Sequence, residues 1–259
     1  MPRTLARLTD RLTLGDSLLV SPVCLGMVTD PRVVLDAWEA GINFFFVTAD
    51  MHWPLYAPLR EGLATLLQTP GVRDHVVVCG TAYVTQPDFC ELPFQELVDA
   101  VPGLERLDVV TMGGVYAVDY AARLEVYRRH RATGFVGCRA IGASFHERKV
   151  ARAALVAGDV DCGFVRMNPA HPGAASEVLP AVAKLARDER PRVFNFKSMD
   201  AWDGSTEATD HYRFAMSHEG VDGVLASFAS KQEVRALARA LAAGPLSARE
   251  RNALIKRSR

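Results

Sequence analysis

Ionisable side chains directly follow several apolar, β-rich stretches of the sequence, and His52 is the foremost among them. Asp50 and His52 come just after the stretch Ile42–Val47. An ordinary histidine pKa of about 6.5 lets the imidazole accept or donate a proton near neutral pH. We therefore predict that His52 is the main proton-transfer residue, with Asp50 beside it. The competing interpretation is a loop histidine that bonds only to backbone while its neighbours pack.

Two further candidates for acid–base chemistry follow later stretches. His146 lies where the stretch Gly137–Ala143 passes into a helical pattern, and it can act as a second acid or base or bind an anionic group. The competing interpretation is a helix start in which Ser144 and Glu147 form a capping box. Lys197 closes an apolar segment, where a lysine with a lowered pKa can act as a base or Schiff-base nucleophile. Its more common role is to anchor an anion or face solvent.

The stretch Asp161–Met167 contributes predicted substrate-binding side chains. Arg166 offers a planar fork that suits a carboxylate or phosphate, and Asn168 follows two residues later. A charge at the end of a buried strand needs a partner, so the competing interpretation is an ion pair of Arg166 with Asp50 or Glu147. Aromatic residues after other stretches complete the predicted substrate-binding set: Trp53, Tyr83 and Tyr116.

A phosphate seat is predicted near the carboxyl-terminal end of the chain. Backbone N–H groups at a helix start, together with a nearby cation, favour an anion. This pattern is found at Ser227, Ser230, Lys231 and Arg235. The competing interpretation is a capping box between Ser230 and Glu233, which needs no ligand.

Metal chemistry is poorly supported by the spacing of the ligand-type residues. The seven histidines show no HxH, HExxH or HxxxH pattern, and the five cysteines contain no CxxC pair. We therefore predict no metal site. An odd number of scattered cysteines also argues against a disulfide framework and for a reducing compartment.

The stretches that carry these residues alternate with amphipathic helical patterns. Eight strands are expected, and helical patterns separate them. The strands are predicted at Pro22–Gly26, Ile42–Val47, His75–Cys79, Leu107–Met112, Gly137–Ala143, Asp161–Met167, Arg192–Phe196 and Val221–Leu225. The helices are predicted at Arg32–Ala40, Leu55–Leu67, Phe94–Leu104, Tyr120–Arg131, Arg148–Ala157, Ala175–Asp188, Thr206–His218 and Lys231–Ala242. Eight such units predict an α/β protein, a (β/α)8 TIM barrel, as one domain over residues 1–259. A short hairpin, Arg11–Leu14 with Leu18–Ser21, is expected to close the barrel floor.

Composition excludes several classes of protein. Of the 259 residues, 30 are Lys or Arg and 30 are Asp or Glu, so the formal net charge is zero. A neutral chain lacks the positive surface that nucleic acid or anionic lipid requires. No apolar stretch is long enough to cross a bilayer, and the amino terminus lacks a signal-peptide core. We expect a soluble cytoplasmic protein whose partner is a small-molecule substrate, and an anionic group on that substrate is one option. The oligomeric state stays open.

Five segments, spread from the hairpin to residue 241, resemble the aldo/keto reductase superfamily. They are LTLGDSLLVSPVCLG, DPRVVLDAWEAGINFFFVTADMH, RAIGASFHERKV, FVRMNPAHPGA and VDGVLASFASKQEVRALARAL. Their order and spacing together are more specific than any one of them. The resemblance implies the same barrel, reduction of carbonyls with NADP(H), and an active site at the carboxyl ends of the strands.

The catalytic tetrad of that superfamily is not retained here. Its Asp, Tyr, Lys and His correspond to Val47, His52, Thr81 and Gly113. His52 thus stands where the superfamily places its proton-donating tyrosine. The resemblance therefore supports His52 as the proton-transfer residue, although the other three residues of the tetrad are replaced in this chain.

The cofactor side is altered as well. The residues that bind the nicotinamide amide in the superfamily correspond to Phe145 and Phe164, which offer no hydrogen bond, whereas Phe196 can still stack through its ring. The predicted cofactor-binding set is Ser144, Phe196, Ser227, Ser230, Lys231 and Arg235.

Three functions stay open at the level of sequence. The first is reduction of a small carbonyl or imine with NADP(H), in which His52 donates the proton. The second is a non-redox lyase, isomerase or cyclase that binds no such cofactor and uses Asp50, His52, His146 and Lys197. The third is a catalytically silent binding or accessory protein. A shared fold does not choose among them.

Overall fold

The computed structural model describes residues 4–200 and 202–258, and within them the predicted (β/α)8 barrel with an N-terminal hairpin is confirmed. The hairpin pairs β1 (Leu12–Leu14) with β2 (Leu18–Val20) in antiparallel fashion. The barrel strands, all parallel, are β3 (Val23–Val28), β4 (Phe44–Thr48), β5 (Val77–Ala82), β6 (Val109–Val115), β7 (Ala140–Phe145), β8 (Cys162–Arg166), β9 (Arg192–Phe196) and β10 (Gly223–Phe228). The barrel closes because β10 pairs with both β9 and β3.

Helices surround the strands. They are α1 (Arg32–Glu39), α2 (Ala57–Leu67), α3 (Leu92–Ala100), α4 (Ala117–Thr133), α5 (Arg148–Ala157), α6 (Ala174–Glu177), α7 (Leu179–Val182), α8 (Ala208–Met216), α9 (Lys231–Ala242) and α10 (Ala248–Arg257). No helix in the described ranges is long and apolar enough to cross a membrane.

Phenylalanines fill the inside of the barrel. Phe44, Phe164 and Phe194 are fully buried, and Phe46 is nearly so. Their rings meet at centroid distances of 5.0 Å for Phe46–Phe164 and 5.3 Å for Phe44–Phe194, both edge-to-face. Such contacts are favourable for aromatic pairs, so the interior is a packed aromatic core.

The floor of the barrel is fixed by a repeated side-chain bond. Asn43, Asp108, Asp161 and Asp222 directly precede β4, β6, β8 and β10, in that order. The side-chain oxygen of each accepts a backbone N–H from a residue in or just before the preceding barrel strand. The donors are Ser21 at 2.7 Å, Val78 at 2.9 Å, Ile141 at 2.7 Å and Val193 at 2.9 Å, in that order. We call these four residues the floor ring.

Arginines pair with the charged members of the floor ring. Asp222 accepts two bonds from Arg190, at 2.6 and 2.8 Å, and Asp108 accepts one from Arg73 at 3.0 Å. Asp161 accepts one from Arg131 at 2.9 Å. Buried carboxylates need such partners, because an unpaired buried charge is costly.

Three local expectations differ from the structure. The helix predicted over Ala175–Asp188 is two single turns, because Pro180 lacks an N–H and its ring breaks the helix. The capping box weighed for Ser144 does not form, since Ser144 lies in β7 and Glu147 is the N-cap residue of α5. Helix α10 was not predicted, although Ser247 and Glu250 form a capping box at its start.

We expect Asp222→Asn to lower the free energy of unfolding by about 3 kcal/mol, because it leaves the buried Arg190 charge unpaired. Urea unfolding measures this loss. Asp30→Asn is the matched control, since Asp30 pairs with an exposed arginine on the surface and its loss is expected to leave the midpoint unchanged. Equal midpoints for both variants would contradict the role given to the floor ring.

Candidate functional site

A cavity of about 860 Å³ opens at the carboxyl ends of the barrel strands. This is the end of a (β/α)8 barrel where active sites lie, and the volume is near the upper end of the usual range for ligand pockets. We call it the mouth cavity. The predicted site residues that line it are Trp53, Tyr83, Ser144, His146, Phe196, Lys197 and Ser227.

The base and one wall of the mouth cavity are aromatic. Phe46 and Phe164 from the barrel interior form part of the base. Trp53 also lines the cavity, and its ring centroid lies 5.9 Å from that of Tyr56 and 5.7 Å from that of Tyr83. These planar apolar surfaces suit a ligand with a flat, apolar body.

Tyr83 holds its place because Gly113 has no side chain. A Cβ atom at Gly113 would come within 2.8 Å of the Tyr83 ring. The fully buried guanidinium of Arg123 also holds this corner, since it donates to the carbonyl oxygens of Ala82 and Gly113 at 3.1 and 2.9 Å. The position where the superfamily keeps its histidine is therefore covered by a tyrosine ring.

His146 and Lys197 bring ionisable groups to the mouth cavity without internal partners. The imidazole of His146 is partly exposed and stacks on Tyr116 at 5.6 Å, with Phe196 edge-on at 5.7 Å. Its ring nitrogens and the Lys197 ammonium have no hydrogen-bond or ion-pair partner among residues 4–200 and 202–258. Burial, and then the positive charges of Lys197 and Arg166, lower the pKa of His146. At neutral pH the ring is therefore neutral and free to accept a proton.

Lys197 is positioned by an unusual backbone. Its φ of +56° lies in the left-handed region, which a residue with a side chain adopts rarely and often at functional sites. Its carbonyl accepts bonds from the Asn168 side chain at 2.9 Å and the Asp200 backbone at 3.2 Å. These bonds keep the strand end turned so that Lys197 faces the cavity.

Arg166 and Asn168, both predicted to bind substrate, have partners within the protein. Arg166 forms an ion pair with Asp200 at 2.5 Å rather than with either acidic residue weighed from the sequence. Asn168 is fully buried, and its amide oxygen accepts the His171 N–H at 2.8 Å. Neither side chain lines the mouth cavity. Both therefore act on the site through Asp200 and Lys197.

His52 and Asp50 lie outside the mouth cavity. Both are exposed on the loop after β4, and the Asp50 carboxylate accepts the His52 backbone N–H at 3.1 Å. Trp53, the next residue, lines the cavity instead. The proton-transfer role of His52 stays a prediction.

The predicted phosphate seat at the start of α9 is occupied by the protein's own groups. Ser230 is the N-cap residue and accepts the Glu233 N–H at 3.4 Å, while the Glu233 carboxylate accepts the Ala229 N–H at 2.8 Å. Lys231 turns away to Asp36 at 2.5 Å and Glu39 at 3.3 Å, which raises the pKa of its ammonium. Arg235 is exposed and does not line the cavity. The charged group that faces the mouth cavity at the start of α9 is therefore the Glu233 carboxylate and not a free cation.

Several lining residues were missed from sequence because predicted helices contained them. Tyr56 was taken as part of a helix from residue 55, whereas it ends a 3-10 turn, Pro54–Tyr56, ahead of α2. Glu207 was likewise taken as helical, and it only caps α8. They lie eight residues beyond the end of β4 and eleven beyond the end of β9, so only a search through the whole loop after each strand would have found them. Other missed lining residues are Phe46, Ser198, Asp200, Trp202, Thr209, Tyr212 and Glu233.

Solved structures show which barrel fold this is. No family model matches the chain, and no curated protein does. Aldo-keto reductase AKR11C1 from Bacillus halodurans in its holo form matches at a TM-score of 0.71 and 14% identity, over 96% of both chains. Two structures from Pseudomonas aeruginosa described as aldo-keto reductase candidates match at TM-scores of 0.70 and 0.69, with 18% and 19% identity. The two matches cover 92% and 91% of this chain, and each covers 97% of the Pseudomonas aeruginosa chain. The chain therefore has the aldo-keto reductase fold, and the resemblance seen in the sequence is confirmed at that level.

The residues at the mouth do not fit the NADP(H) that this fold implies. Phe145 and Phe164, at the positions that would hold the nicotinamide amide, are buried rings without a polar atom. Lys231 is neutralised by two carboxylates, and Glu233 places a negative charge at the predicted phosphate seat. Like charges repel, so this end disfavours a phosphate.

We expect Lys197→Met to raise the pKa of His146 towards its ordinary value, because it removes a positive charge that disfavours protonation. Histidine NMR titration measures this, with the signal assigned by His146→Gln. Lys149→Met, on α5, is the control and is expected to leave the pKa unchanged. No upward change in Lys197→Met would contradict the described electrostatics.

The sign of the pH dependence of stability follows from the same shift. The folded-state pKa of His146 lies below its unfolded value of about 6.5. As pH falls through this interval the unfolded chain binds the proton first, so the free energy of unfolding decreases. His146→Gln is expected to remove that part of the decrease in acid.

Proposed function

We propose that the chain is a divergent enzyme of the aldo/keto reductase superfamily that binds a small anionic substrate and performs non-redox acid–base chemistry. A lyase, isomerase or cyclase reaction fits this description. The observation that carries the proposal is the pair formed by a neutral His146 and an unpartnered Lys197 at the rim of an aromatic cavity. If Lys197 had only a structural role, we would expect its ammonium to form an ion pair within the protein rather than to face the cavity without a partner.

The two residues have distinct roles in the proposal. A ring nitrogen of His146 accepts a proton from the substrate, since a neutral imidazole is a competent base near neutral pH. The Lys197 ammonium binds the substrate's anionic group and stabilises negative charge that develops as the proton leaves. Returning the proton from His146 to another substrate atom completes an isomerisation, whereas loss of a leaving group completes an elimination.

Other groups of the site position and shield this pair. Asp200 holds Arg166, so the guanidinium adds positive potential near His146 without binding it directly. Trp53 and Tyr83 form a wall that excludes water from one side of the substrate. In this account Ser144 serves the fold, because its hydroxyl oxygen accepts the Gly114 N–H at 2.9 Å.

We expect Lys197→Met to weaken binding of 2-naphthoate roughly tenfold or more, the usual cost of losing a hydrogen bond to a charged group. Its uncharged analogue 2-naphthamide is expected to bind both proteins equally. Isothermal titration calorimetry measures the four affinities.

Lys231→Met is the matched control for this experiment, since Lys231 is held by Asp36 and Glu39. His52→Phe is a second control, because His52 lies outside the mouth cavity. Both are expected to bind 2-naphthoate as the wild type does. A loss in Lys231→Met, with none in Lys197→Met, would place the anion site at α9 and contradict the proposal.

A second candidate function is reduction of a small carbonyl or imine with NADP(H). One observation favours it: the mouth cavity continues from the barrel to Ala236 and Leu237 of α9, further than a small substrate requires. This is the direction in which the sequence resemblance places the cofactor.

We expect no saturable enhancement of NADPH fluorescence at millimolar cofactor, because Glu233 and the paired Lys231 disfavour the phosphate. Saturable binding of NADPH that becomes weaker in the double variant Lys231→Ala/Arg235→Ala would establish the second candidate function. Saturable binding that Glu233→Gln strengthens would show that the carboxylate alone opposes the cofactor.

A further inference from the structure

A second cavity, of about 500 Å³, lies at the floor of the barrel, at the opposite end from the mouth cavity. The hairpin forms one side of it, through Leu18 and Leu19, and the floor-ring residues Asn43 and Asp108 form another. We call it the floor pocket. Its volume is within the usual range for ligand pockets. No described residue lines both cavities, so a ligand in the floor pocket is separate from the candidate active site.

The charges that line the floor pocket do not balance. Its acidic and arginine side chains are those of Arg11, Asp74, Arg106, Asp108 and Arg139. Arg106 pairs with both carboxylates, and Arg73 adds a second bond to one of them. Within residues 4–200 and 202–258, the guanidiniums of Arg11 and Arg139 bond only to uncharged oxygens. The Asp10 carboxylate is near Arg11, but it accepts a backbone N–H and does not line the pocket.

These two guanidiniums lie at opposite ends of the hairpin. Arg11 directly precedes β1, and its Nη1 donates to the carbonyl oxygens of Leu8 and Asp10 at 3.2 and 2.9 Å. Arg139 Nη2 donates to the hydroxyl of Ser17, in the turn between β1 and β2, at 2.7 Å. The two ends of the hairpin are about 10 Å apart, because each strand residue advances the chain by about 3.3 Å. This placement suits a ligand with two anionic groups, one at each end.

Between the two ends, the floor pocket offers apolar surface. Leu19 lies opposite Thr13 in the middle of the hairpin, and it lines the pocket together with Trp38. Its side chain is 55% exposed, which is apolar area that a ligand can cover. The Asn43 side-chain amide donates to the Leu19 carbonyl oxygen at 2.8 Å and so fixes this part of the hairpin over the floor ring. The pocket is therefore preformed, with an apolar middle and a cation at each end.

We propose that the floor pocket is a second ligand site, which binds an elongated dianion with an apolar middle. Arg11 binds one anionic group and Arg139 the other, through guanidinium N–H groups that suit carboxylate or phosphate oxygens. The apolar middle covers Leu19 and Trp38. Active sites of this barrel lie at the carboxyl ends of the strands, so this ligand is not the substrate of the mouth cavity. The inference does not depend on the proposed function.

Trp38 gives a signal from the floor pocket alone once the other two tryptophans are replaced. The chain has three tryptophans, and Trp53 and Trp202 line the mouth cavity. We expect the double variant Trp53→Phe/Trp202→Phe to bind bicyclohexyl-4,4′-dicarboxylate with a saturable change in Trp38 emission. Bicyclohexyl-4-carboxylate, which lacks one anionic group, is expected to bind about tenfold more weakly, the cost of one charged hydrogen bond. Absence of a saturable change, or equal affinity for the two compounds, would overturn the proposal.

Arginine variants of this single-tryptophan protein test each end of the pocket. Arg11→Gln and Arg139→Gln are each expected to lower the affinity for the dicarboxylate to about that for the monocarboxylate. Arg152→Gln is the matched control, because Arg152 is exposed on α5 and lines neither cavity, and its affinity is expected to stay unchanged. Equal losses in all three variants would reveal only a long-range effect of net charge and would overturn the proposal. The comparison of the two compounds leaves the pocket intact, so it decides the proposal even if an arginine variant does not fold.

Discussion

The floor ring is the constraint on which the rest of the barrel depends. Asn43, Asp108, Asp161 and Asp222 each tie the start of one strand to the strand before it, at the same level around the barrel. A fixed level at the floor also fixes where the strands end at the mouth, since each residue advances a strand by about 3.3 Å. Residues that follow the ends of β4, β5, β7 and β9, namely Trp53, Tyr83, His146 and Lys197, therefore converge on the mouth cavity.

Between the floor and the mouth, aromatic rings occupy the interior of the barrel in place of the polar groups of the superfamily's tetrad. Phenylalanine rings fill this part of the barrel, and Val47, Thr81 and Gly113 supply no ionisable group at the positions of the superfamily's tetrad. Among the described residues that line the mouth cavity, the acidic and basic side chains are those of His146, Lys197, Asp200, Glu207 and Glu233. In the proposed function, chemistry therefore takes place at the rim, on a substrate held by apolar surfaces from below.

The fold could be predicted because apolar stretches and helical patterns alternate eight times, and Arg192–Phe196 and Lys231–Ala242 were predicted with the bounds observed. The candidate site could be predicted only in part. Strand ends pointed to His146 and Lys197, but sequence does not show that Asp50 and His52 turn outwards or that Lys231 meets Asp36. Tyr56 was missed because its 3-10 turn is indistinguishable in pattern from the first turn of the helix that follows.

A crystal structure of the protein with bound 2-naphthoate tests the central claim most directly. We predict a carboxylate oxygen within about 3 Å of Lys197 Nζ, the distance of a charged hydrogen bond, and the naphthalene ring against Phe46 and Phe164. A carboxylate bound at the start of α9, beside Ser230 and with Lys197 free, would contradict it.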